Sequence, residues 1–94
     1  MTDATRLRVG LEEYLEALKF HMASLREHHG QMATAWGRLR DGYQGRGAEA
    51  FGDVWTRSDA RFREYIDASG RIQQALARQI DELRRFDSAS EPEL

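Results

Sequence analysis

Three histidines are the residues in this chain best suited to chemistry: His21, His28 and His29. On a helix, His21 and His28 stand two turns apart, while the adjacent His28 and His29 point about 100° away from each other. That spacing does not converge on a metal, so no metal site is expected, and a small enzyme or metal-dependent regulator built on them is the poorer reading. His29 matters differently, because it interrupts an otherwise apolar stripe. There its protonation would bias association, since charging a buried imidazole costs stability as pH falls toward its pKa. The carboxylate pairs Glu12-Glu13 and Asp81-Glu82 sit among arginines on helical patterns with no cleft implied, which makes them solvated faces rather than acid/base catalysts. The glycines between Trp36 and Trp55 do not form a phosphate loop: they follow a helical pattern rather than a strand and lack the Lys-Ser/Thr ending. No catalytic residue, cofactor or metal ligand is therefore expected.

What must be positioned is apolar surface. Ninety-four residues make one small domain at most, and a single core of that size is marginal without a staple. No cysteine is present to supply one. With 40% hydrophobic and 32% charged residues, one proline and no long apolar run, the composition suits a helical protein that associates and does not insert in a membrane. A net charge of -2, with arginines scattered among carboxylates, offers no basic face to a nucleic acid. Met1 to Gly10 lacks an apolar stretch behind a basic start, so no cleaved signal peptide is expected.

Two long helical patterns account for most of the chain. The first spans about 4–41, capped by Asp3 or Thr5. Its seam includes Leu15, Leu18, Met22, Leu25, His29, Met32, Trp36 and Leu39, spaced by alternating threes and fours. A second column at sevens, Leu7, Tyr14, His21, His28 and Ala35, widens the stripe beyond one partner helix. The second pattern spans about 47–86 and carries Phe51, Trp55, Phe62, Tyr65, Ser69, Ile72, Leu76, Leu83 and Phe86 in the same rhythm. Between them Gly42, Gly45 and Gly47 free the backbone to reverse over about 42–46. The expected architecture is an all-α antiparallel two-helix hairpin over 1–86. Two such hairpins would pair into a four-helix bundle, because each stripe is wider than one helix can cover. The segment 87–94, small, polar and acidic, is expected to be a flexible tail. Phe20 falls outside both seams and, with Val9, suits a contact beyond the dimer.

The corner carries a resemblance. Tyr43-Gln44-Gly45 near the centre, then Gly47-Ala48-Glu49-Ala50, Phe51 and Trp55, resemble the Trp-x-Gly (WXG) helical hairpins of bacterial type VII (early-secreted-antigen-like) secretion, with tyrosine in the place of the turn tryptophan. The resemblance covers the whole chain. It implies a non-enzymatic secreted substrate or escort subunit that works as a homodimer, with a sister hairpin, or with a larger secreted effector. It also implies recognition by a secretion ATPase at Tyr43, Gln44 and Gly45, and passage from the bacterial cytoplasm to the outside. The second half of the family's export signal, Tyr-x-x-x-Asp/Glu after helix two, has no match here: Tyr65 is followed by Ser69 and Phe86 by Ser90. An escort whose partner carries the signal fits this pattern. A helical adaptor or coiled-coil module unrelated to secretion is the alternative that the same heptads permit.

Overall fold

The structure is a computed structural model that describes residues 2–43 and 45–90. It contains two helices, α1 (Asp3–Gly42) and α2 (Arg46–Ser90), in an all-α hairpin. The cap of α1 is neither Asp3 nor Thr5. Thr2 Oγ1 accepts the backbone N–H of Thr5 at 3.1 Å, and the Thr2 carbonyl accepts that of Arg6 at 3.0 Å, so the helix starts one residue earlier than its apolar rhythm suggested. At the corner, Gly45 has a φ of 117° and is the glycine with positive φ among the described residues. A side chain there would strain the backbone. Its carbonyl accepts the Glu49 N–H at 3.0 Å and so opens α2. Gln44 lies outside the described residues.

The chain forms two compact units, one from Met22–Ala68 around the corner, the other from the segments up to His21 and from Ser69 onward. In the corner unit the helices run antiparallel: His29 meets Asp59 and Phe62, and Trp36 meets Phe51. Met22, 1% exposed, and Trp36 are its buried apolar residues. The terminal unit is also antiparallel, with Thr5 and Arg8 bonded to Asp87 and Glu12 to Arg84. Leu15 and Ile80 are buried there, as is Ser69, whose hydroxyl accepts a hydrogen bond from Gln73 Nε2 at 3.2 Å.

Two features depart from the sequence expectation. Helix α2 does not stop near Phe86 but continues to Ser90, because the Asp87 carboxylate is held by Thr5 Oγ1 at 3.1 Å and Arg8 Nε at 2.9 Å. Residues 91–94 of the expected tail lie outside the described residues. The other departure is rotational. In the corner unit α1 faces α2 with Met22, His29 and Trp36, and α2 answers with Ala48, Trp55 and Phe62 and, one column over, with Gly52, Asp59 and Ile66; in the terminal unit α1 presents Arg8 and Leu15, and α2 presents Ser69, Leu76 and Leu83 and, one column over, Gln73, Ile80 and Asp87. The column that contains Phe51, Tyr65, Ile72 and Phe86 is exposed.

Candidate functional site

The corner presents Tyr43 to solvent at 65% exposure, one residue beyond the end of α1. Trp36, by contrast, is 9% exposed; its ring lies 4.8 Å from that of Phe51 and 3.4 Å from where a Cβ on Gly52 would stand. The tryptophan nearest the turn is thus part of the packing, and the accessible turn aromatic is Tyr43. Beside it an open depression of about 500 Å³ is lined by Trp36, Arg40, Tyr43, Ala48 and Glu49. Its lining holds two aromatic rings and one charge of each sign.

A second surface is larger. In the corner unit, Met32 and Leu39 of α1 and Phe51 and Tyr65 of α2 are exposed; Leu25, Trp55 and Phe62 are half-buried at their feet. These residues lie on one side of the pair. In antiparallel helices a turn in the same rotational sense, away from the facing columns, carries both stripes to the same side. The terminal unit repeats the arrangement with Leu7 and Tyr14 on α1 and Ile72 and Phe86 on α2, above the half-buried Leu18, Leu76 and Leu83. Each unit therefore has one apolar side open to water. Of the residues placed in the seam from periodicity, Leu15, Met22 and Trp36 are buried within the chain, while Met32, Leu39, Phe51, Tyr65 and Ile72 stand on this open side. Phe20, 79% exposed, belongs to neither stripe.

The opposite side of each unit is polar. In the corner unit His29 Nε2 donates to Asp59 Oδ1 at 2.7 Å, and Arg63 Nε donates to Asp59 Oδ2 at 3.0 Å. The His29 ring is stacked with Phe62 at 3.9 Å and with Trp55 at 5.2 Å. His29, then Arg63, holds the Asp59 carboxyl below its ordinary pKa. In the terminal unit Glu12 accepts from Arg8 Nη1 at 2.9 Å and from Arg84 Nη2 at 2.9 Å, and these two guanidiniums in turn lower its pKa. Asp87 first and Glu12 second raise that of Arg8. Periodicity marked His29 as a polar residue in the seam but did not find its partner. The signal was present: Asp59 and Asp87 occupy a heptad column with Gly52, Ile66, Gln73 and Ile80, where a carboxylate in a helix contact calls for a cation opposite.

These carboxylates carry an expectation for acid. A carboxyl whose folded pKa is depressed contributes stability that is complete above its unfolded pKa, near 4, and is lost as pH falls through the folded value. The stability that these carboxylates supply should therefore be complete from neutral pH down to about 4 and be lost below it, which a urea midpoint falling in acid would report. Asp59→Asn and Glu12→Gln should start lower at neutral pH and show a shallower acid limb. Parallel pH profiles for the wild type and both variants would show that these pairs contribute nothing.

Among the described residues, no group of three or more His, Cys, Asp or Glu side chains is placed to hold a metal, and no helix is long and apolar enough to cross a membrane. His21 and His28 are exposed and are not brought together with His29 on a common ligand. No curated protein and no solved structure matches the chain. The family of proteins of 100 residues with WXG does match, over residues 9–88, which takes in the corner, the His29–Asp59 and Glu12–Arg84 pairs and, Leu7 apart, the apolar residues of both open sides. With a helical hairpin, an aromatic-x-Gly corner and a family match over most of its length, the chain belongs to the WXG100 family, which is associated with type VII secretion.

Proposed function

We propose that this protein is a non-enzymatic substrate or escort subunit of a type VII secretion system, and that it pairs through its open apolar side with a second hairpin, identical or a sister, or with a hairpin carried by a larger effector. The observation that carries the reading is that side itself. Large side chains such as Met32, Tyr65, Ile72 and Phe86 stand half in water at heptad spacing, in both units, on helices whose own contact buries little apolar surface. Scattered exposed hydrophobes are ordinary, but a stripe repeated at sevens is the pattern that a further helix covers. Pairing two hairpins over this side makes a four-helix bundle and supplies the core that one hairpin lacks.

The corner has a separate task in this reading. Tyr43, Gln44 and Gly45 form the aromatic-x-Gly element offered to the secretion ATPase, and the exposure of Tyr43 beside an open depression supports that role. A partner that carries a Tyr-x-x-x-Asp/Glu would supply the second half of the signal. The protein would leave the cytoplasm in the company of that partner.

Light scattering on the purified chain, with helicity recorded on the same sample, tests the pairing. A helical species of about twice the 10.8 kDa chain mass is expected if the partner is a second copy. A poorly helical monomer that folds only on addition of a sister hairpin would assign the partner as that sister. A monomer that is fully helical and unfolds cooperatively at high concentration would remove the need for any partner and overturn the reading.

A further inference from the structure

Helix α2 has a more apolar face than the one it turns toward α1. Its apolar centre lies between the column of Trp55 and Phe62 and the column of Phe51 and Tyr65. In the corner unit, α1 instead faces the groove between Trp55-Phe62 and the column of Gly52, Asp59 and Ile66. These two settings differ by a turn of roughly 50° or more about the α2 axis, since three or four residues in a heptad fall short of or overrun one turn by about that angle. Turning α2 to its apolar centre would bury Phe51 and Tyr65 inside the hairpin. In the structure both remain about half exposed.

We infer that the His29–Asp59 pair selects the face that α2 turns to α1, and thereby reserves Phe51 and Tyr65 for a second hairpin. His29 sits in the central column of α1 with Met22 and Trp36, its ring stacked with those of Trp55 and Phe62. From that slot its Nε2 reaches Asp59 Oδ1 at 2.7 Å, and Arg63 holds the other carboxylate oxygen. Turning α2 would draw Asp59 out of reach and leave a part-buried imidazole without its acceptor, which is costlier than never having placed it there. A polar residue in a helical seam can define pairing geometry in this way, at some loss of stability.

A notch on the same column acts in the same sense. Gly52 lets the Trp36 ring lie at van der Waals distance, 3.4 Å from the point where a Cβ would be. Phe51 in that place would leave no room for the ring. The terminal unit has its own pair on the corresponding columns, Arg8 with Asp87 at 2.9 Å, and there Ile72 and Phe86 are the residues left outside. The purpose assigned to the exposed column rests on the proposed pairing, whereas the selection of the face does not.

The chain has no cysteine, so a single Ser58→Cys reporter can be read without interference. Ser58 is exposed and shares the column of Phe51 and Tyr65. Maleimide labelling of this thiol is measured at a dilution where light scattering gives the mass of one chain. Adding His29→Leu and Asp59→Leu together removes the pair and permits the more apolar face, so the reporter thiol should label about tenfold more slowly while helicity is retained. His29→Gln, which keeps a donor toward Asp59, should label as the reporter alone does. A helical His29→Leu/Asp59→Leu protein whose thiol labels as fast as that of the Ser58→Cys chain alone overturns the inference. If that double variant loses its helicity, Asp59→Leu alone, which leaves the aromatic stack in place, is judged by the same two rates. A wild-type chain that never pairs would sink the proposed pairing, yet the labelling comparison would still decide whether the pair selects the face.

Discussion

Trp36→Ala is expected to lower the stability of the corner unit by about 3–5 kcal/mol, the usual range for truncating a buried tryptophan or phenylalanine. The ring is 9% exposed, tilted at 52° to that of Phe51 with 4.8 Å between centroids, and seated over Gly52. Its removal leaves a void that neither neighbour can fill, because Gly52 has no side chain and Phe51 is held at the helix surface. Small domains are stable by only about 5–15 kcal/mol, so a loss of this size would leave the corner largely unfolded near physiological temperature. Urea unfolding followed by far-ultraviolet dichroism measures it, with Trp36→Phe as the conservative control that retains most of the contact. A loss below about 1 kcal/mol would mean that Trp36 does not anchor the corner. The same experiment separates two roles for the tryptophan. If Trp36 were the surface element read by a secretion machine, truncation would spare stability and abolish only recognition.

The second large effect appears where the isolated chain shows almost none. Ile72 is 50% exposed on the open side of the terminal unit, and Ile72→Asp should change the stability of a single hairpin by no more than about 0.5 kcal/mol. Once a second hairpin covers that side, the carboxylate is buried without a partner. Stranding one charge in this way typically costs about 3–5 kcal/mol. Pairing should therefore weaken by roughly a hundredfold to a few thousandfold. A dilution series read by light scattering gives the shift, and Gln74→Asp, an exposed position off the apolar stripe, should leave pairing unchanged. Equal pairing by the wild type and Ile72→Asp would place the interface elsewhere, with Phe20, the most exposed large apolar side chain among the described residues, as the next position to test.

Much of the fold was legible before any coordinates. Alternating threes and fours are a property of one helix, so the run from Leu11 to Leu39 and the run from Ala48 to Phe86 each declared a helix without reference to anything else. The cluster Gly42, Gly45 and Gly47 marked the reversal for the same local reason, and among the described residues the positive φ falls on Gly45. Local rules were weaker at the ends. Thr2 rather than Asp3 or Thr5 caps α1, and α2 outruns its apolar rhythm to Ser90, because each end depends on a specific side-chain bond that periodicity does not weigh.

The candidate site was legible only in part. Tyr43 and Gly45 were readable as the accessible corner because a glycine-rich break between two helices has few other places to go. Which apolar column would face inward was not readable. Met32, Tyr65 and Ile72 fit the seam as well as Leu15, Met22 and Trp36 do, and nothing in a single helix distinguishes an apolar residue that meets its own partner helix from one that waits for another.

By itself, then, the sequence determined two amphipathic helices, the reversal between them, and more apolar stripe than one hairpin can bury, all of which follow from residue type and spacing along one strand of chain. Tertiary structure alone decided which face each helix turns to the other within each unit. That choice belongs to a pair of surfaces, and it is set where His29 finds Asp59 and Arg8 finds Asp87, contacts between residues 30 and 79 positions apart that no local pattern encodes.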